Sequence, residues 1–70
     1  MQPTLKDIED TVARLEARFE QSILFGVYEK TCLRFEQVLS DPRDLALSKA
    51  AALMVVKQFE ESAGSASAAS

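Results

Sequence analysis

Apolar residues recur at Leu5, Ile8, Val12, Leu15 and Phe19, with Lys, Asp, Glu, Arg, Thr and Ala filling most of the positions between. Steps of three and four residues put one apolar stripe on one side of an α-helix and leave the opposite side wet. The same spacing is a coiled-coil seam, carried here for two heptads. Thr4 and Asp7 ahead of the stripe form a T-x-x-D pattern. The threonine hydroxyl can accept the N–H of the third helical residue, and the aspartate lies where the helix dipole favours negative charge. Asp10 and Arg14 stand one turn apart, the spacing of a helical ion pair worth roughly a few tenths of a kcal/mol.

From Ser22 the pattern changes. Ile23, Leu24, Phe25, Val27 and Tyr28 are apolar nearly all round, with Gly26 among them. Glycine costs about 1 kcal/mol inside a helix relative to alanine. With no second turn residue beside Gly26, the pattern favours one helix running through, from about residue 4 to 39. A break at Gly26, closing the chain into a three-helix bundle, is the alternative. Beyond it, Leu24, Tyr28, Cys32, Phe35 and Leu39 restore an apolar stripe.

The clearest boundary is Ser40-Asp41-Pro42-Arg43-Asp44. Pro42 lacks an N–H and pushes the residue before it out of the helical region, so the first helix stops near Leu39. Proline suits the first position of a helix and aspartate the cap before it. A second helix is predicted from Pro42 to about Glu61. So short a connection makes the two helices antiparallel neighbours. The expected fold is therefore all-α, a two-helix hairpin forming a single domain over residues 1–62. Residues 63–70, made of Ala, Gly and Ser, have nothing to pack and are expected to form a disordered tail.

The second helix carries too much apolar surface for a hairpin. Plotted at ~100° per residue, Leu45, Ala52, Val55 and Phe59 face one way, and Leu47, Ala50 and Met54 nearly the opposite way. A helix that is apolar all round is buried on several sides, and one neighbour cannot cover it. The expectation is a partner-binding surface built from Leu24, Phe25, Val27, Leu47, Ala50, Leu53, Met54, Val56 and Phe59. The alanines at 50–52 would let helices approach closely, and Met54 is an adaptable contact.

Composition removes most other functions. The chain has no histidine and one cysteine, Cys32. Ser-His-Asp and Cys-His catalysis are excluded, as are an internal disulfide and a structural zinc site of about four Cys or His ligands. Cys32 sits on the apolar stripe as an inert thiol, and Tyr28 reads as core with its hydroxyl at the rim. Glu16 with Glu20, and Glu60 with Glu61, read as solvated faces rather than paired catalytic carboxylates. No enzyme activity, cofactor, metal or small-molecule substrate is expected. Eleven acidic against eight basic residues give a net charge of −3, which offers no footprint for nucleic acid. The opening MQPTLKDIEDTV has no apolar signal core. The run Ala50–Val56 is far shorter than the ~20 residues that span a bilayer, so a cytoplasmic protein is expected.

The capped opening at Leu5, Ile8, Glu9 and Asp10, followed by Leu39-Ser40-Asp41-Pro42 and a second apolar helix, resembles the small co-chaperones of bacterial type III secretion systems. The resemblance covers most of the chain in layout and about eight residues in letters. It implies a bacterial, cytoplasmic helical hairpin that sequesters an apolar helix of a partner and prevents its premature assembly. Helix-in-groove packing on the excess apolar surface leads to the same class of function. The alternative is a self-assembling structural bundle, a homodimer or homotetramer in which the seam Leu5, Ile8, Val12, Leu15 and Phe19 pairs with its own copy.

Overall fold

A computed structural model describes the backbone of residues 2–69 and the side chains of residues 2–62. The fold is all-helical, with three helices: α1 (Leu5–Phe19), α2 (Phe25–Val38) and α3 (Pro42–Ala69). The first begins as its sequence dictates. The Asp7 N–H donates to Thr4 Oγ1 at 3.2 Å, and the Thr4 N–H donates to Asp7 Oδ2 at 3.3 Å, closing a reciprocal capping box.

The long first helix expected from residue 4 to 39 is not formed. The chain turns between Glu20 and Leu24, giving the three-helix arrangement, and the turn precedes Gly26 rather than falling on it. Gly26 is the second residue of α2 and has no positive φ. Ser22 organises the turn. Its N–H donates to the Phe19 carbonyl at 2.9 Å, and its own carbonyl accepts the Phe25 N–H at 3.0 Å. Its hydroxyl accepts the Leu24 N–H at 3.2 Å and donates to the Glu60 carboxylate on α3. Glu20 and Leu24, which bound the turn, both keep right-handed backbone angles. A turn of this kind needs no glycine or proline, because no residue enters the left-handed region.

The second boundary lies where Pro42 predicts it. Leu39 takes an extended backbone (φ −100°, ψ 125°), and its N–H closes α2 on the Phe35 carbonyl at 2.7 Å. Asp41 caps α3, its Oδ1 accepting the Arg43 N–H at 2.8 Å. The backbone of α3 runs to Ala69, past the end expected near Glu61. The side chains of residues 63–69, and Ser70 altogether, where the sequence predicts a disordered tail, lie outside the described residues.

α3 is the common spine: α1 and α2 each pack on it, and scarcely on one another. Arg43 donates to the Pro3 carbonyl at 3.2 Å near one end, and Ser22 meets Glu60 towards the other, so α1 and α3 run parallel. α2 returns antiparallel between them in sequence. The core consists of Ile8, Val12 and Phe19 from α1, Tyr28 from α2, and Ala46, Leu53 and Val56 from α3. Leu5 and Leu15 pack half-buried against it. The coiled-coil seam is thus used inside the chain, against α3. The expected Asp10–Arg14 pair is not closed; among the described residues the ion pair is Lys57–Glu61 at 3.9 Å. An exposed pair is worth so little that solvation competes with it.

Candidate partner-binding surface

The structure divides the nine residues expected to bind a partner. Leu53 is fully buried and Val56 nearly so, both in the core of the chain itself, so neither belongs to a free surface. The sequence pattern places them outward because the core direction of α3 lies between the two faces it predicts. It follows Ala46, Leu53 and Val56, and a third helix is present to cover it. Ala50 packs half-buried against the core, as do Leu24 and Phe25. Leu47, Met54 and Phe59 on α3, and Val27 on α2, are exposed.

The exposed residues lie on two connected surfaces. The outward face of α3 presents Leu47, Ala51, Met54, Val55, Gln58 and Phe59, and no charged side chain lies among them. Beside it, an apolar groove of about 200 Å³ runs between α2 and α3, lined by Leu24, Val27 and Thr31 on one wall and Ala52 and Val55 on the other. Val55 is 62% exposed and joins the two. Phe25 is not part of this surface. It points to the opposite side of α2, with its ring centroid 5.4 Å from that of Tyr28.

The charges of α3 are divided between its exposed and its half-buried sides. Lys49, Lys57 and Glu60 are half-buried on the flanks that lean on the rest of the chain, while Asp44 and Glu61 are exposed near the two ends of the outward apolar face. Glu60 accepts from Ser22 and Lys57 pairs with Glu61. A helix that borders water ordinarily turns its charged side outward and its apolar stripe inward. Here the exposed charges, Asp44 and Glu61, stand at the ends, and the outward arc between them is apolar. Val55, Ala51 and Gln58 were absent from the sequence-based surface. The gap between Lys49 and Lys57, a run of seven residues without a charge, was the signal that could have found Ala51 and Val55.

Tyr28 is the most buried residue of α2, and its hydroxyl donates to Glu16 Oε2 on α1 at 2.8 Å. Burial, and then hydrogen bonding and charge interaction with Cys32 and Glu16, push its phenol well above the ordinary tyrosine range. It is held as a neutral donor that links two helices having little other contact. Cys32 is a free, half-buried thiol. Among the described residues, no group of three or more Cys, Asp or Glu is placed to hold a metal ion, and no helix is long and apolar enough to cross a membrane.

Comparison with protein-family models, with curated proteins and with solved structures finds no match to this chain.

Proposed function

We infer that this protein is a binding module that packs the outward face of α3 against an apolar helix of another protein, as a cytoplasmic co-chaperone or adaptor. One observation carries the reading: Leu47, Met54, Val55 and Phe59 are exposed together on the outward face of α3, along a helix with no charged residue from 50 to 56. Contiguous exposed apolar surface on a small protein marks an interaction site. Methionine and phenylalanine are residues that such sites favour. The resemblance to type III secretion co-chaperones supplies a candidate setting, in which the partner is a secreted subunit held until export. Self-assembly through the seam Leu5–Phe19 has less support, because Ile8, Val12 and Phe19 are already buried against α3.

The test is solution mass, by light scattering or sedimentation, across a hundredfold concentration range. A monomer, or ill-defined aggregates dispersed by the double substitution Met54→Glu and Phe59→Glu, supports a surface that awaits a foreign chain. A defined dimer or tetramer that the same substitutions dissociate would replace this reading with self-assembly through α3.

A further inference from the structure

A second surface lies on the other side of the molecule and is chemically unlike the face of α3. Because α1 and α2 scarcely touch, an open groove of about 550 Å³ is left between them. Its floor is apolar, formed by Phe25, Tyr28 and Cys32, with the exposed Leu33 at its α2 edge. Its rims are acidic, with Glu16 and Glu20 on the α1 side and Glu29 and Glu36 on the α2 side, and no Lys or Arg lines it. Glu16 is engaged by the Tyr28 hydroxyl. Glu20, Glu29 and Glu36 are exposed, and the ion pair among the described residues, Lys57–Glu61, lies elsewhere. Four carboxylates around one apolar floor repel one another and raise the local concentration of cations.

An occupant that relieves this arrangement has to bring apolar surface for the floor and positive charge on both flanks. The α2 wall from Phe25 to Glu36 is about 17 Å long at a rise of ~1.5 Å per residue, which is three helical turns. We propose that the groove takes a short amphipathic helix of a partner protein, about three turns long, whose apolar stripe is flanked on both sides by Lys and Arg. Helix-in-groove docking supplies the apolar contact, and the rim charges supply steering and orientation. Nucleic acid is repelled by the same rims. A second copy fits poorly: its exposed cations are divided between two helices, Lys6, Arg14 and Arg18 on α1 and Lys30 and Arg34 on α2, and the chain repels itself with a net charge of −3. This inference concerns a different surface and does not rest on the reading of the α3 face.

The experiment uses the full chain, isotope-labelled for amide NMR, titrated with three synthetic peptides. The first is an eighteen-residue helix with a leucine stripe flanked by lysines. The second has glutamate in place of lysine. The third has the composition of the first in an order that destroys the stripe. The expected result is that the first peptide binds, moves the amides of Glu20, Phe25, Glu29 and Glu36, and weakens at least tenfold when Glu20→Gln, Glu29→Gln and Glu36→Gln are combined. Binding also weakens on raising the salt concentration, and the other two peptides bind at least tenfold less well. Three results would overturn the proposal: equal affinity for the first and third peptides, shifts centred on Met54, Val55 and Phe59, or self-association of the free chain that moves the groove amides and is abolished by Lys30→Glu with Arg34→Glu. Circular dichroism checks that the triple variant folds. Should it not, the single variants Glu20→Gln and Glu36→Gln, both at exposed positions, carry the same comparison, with a severalfold loss expected from each.

Discussion

Ser22, in the turn between α1 and α2, donates its hydroxyl hydrogen to the carboxylate of Glu60 on α3, thirty-eight residues further along the chain. The same oxygen accepts the Leu24 N–H, so one side chain both forms the turn and ties it to the spine of the bundle. Ser22→Ala removes both bonds and leaves a part-buried carboxylate without its donor. The expected loss is about 1–2 kcal/mol, at the upper side because a charged acceptor is involved. In a domain of this size, 1 kcal/mol moves Tm by roughly 4–8 °C. Thermal melts of Ser22→Ala, Glu60→Ala and the double variant form a cycle. A coupling energy indistinguishable from zero would show that the turn holds without Glu60.

The Tyr28–Glu16 hydrogen bond predicts an alkaline limit to stability. Burial is the main cause holding the Tyr28 phenol above its ordinary value of 10.0, and Cys32 and Glu16 add to it. In the unfolded chain the phenol ionises near pH 10, whereas in the fold it stays protonated. Below that pH both states hold the proton and the stabilisation is present in full. Above it, the unfolded state releases the proton and the folded state does not, so stability falls as pH rises, by up to about 1.4 kcal/mol per pH unit. Denaturant unfolding of the wild type and Tyr28→Phe between pH 8 and 11 isolates the effect from the lysines. The wild type is expected to be more stable by about 1 kcal/mol at pH 8, and this advantage should shrink above pH 10. An advantage that is constant over the range would refute the assignment.

Gly26 offers a direct check on where the first helix ends. A Cβ built there meets nothing within 4 Å, and the residue is helical without a positive φ. Gly26→Ala is therefore expected to stabilise the protein by about 0.4–1 kcal/mol, through the lower entropy of the unfolded chain and better helix propensity. Had the chain turned at Gly26 through a left-handed angle, the substitution would destabilise it. Urea unfolding midpoints distinguish the two signs.

Much of the architecture was legible because it rests on local chemistry. Thr4 with Asp7 and Asp41 with Pro42 fix two helix starts through bonds within a few residues, and the stripe from Leu5 to Phe19 fixes which side of α1 is buried. The break at Glu20–Leu24 was not legible for the corresponding reason. Its turn has no positive φ and is held by Glu60, a partner remote in sequence, so neither glycine nor proline marks it. With the break missed, α3 lacked a second neighbour. Leu53 and Val56 therefore looked like surplus apolar surface when they are the centre of the core. The surplus is real but smaller, and it sits at Leu47, Met54, Val55 and Phe59.

Leu53 and Phe59 should behave oppositely when altered, although both are apolar residues of α3. Leu53 has no solvent exposure and belongs to the core that all three helices share, so Leu53→Ala leaves a cavity and is expected to cost about 2–5 kcal/mol. That is comparable to the whole stability of a domain this small, and the variant should be largely unfolded at 37 °C. Phe59 is 43% exposed on the outward face, and Phe59→Ser should change stability by roughly 0.5–1 kcal/mol at most. Its effect should appear in association instead: less aggregation at high concentration, and less binding of an environment-sensitive dye that reports exposed apolar surface. Circular dichroism melts paired with dye fluorescence separate the two residues. If Phe59→Ser melted as early as Leu53→Ala, the outward face of α3 would be structural, and the surface assigned to partner binding would have to be sought elsewhere.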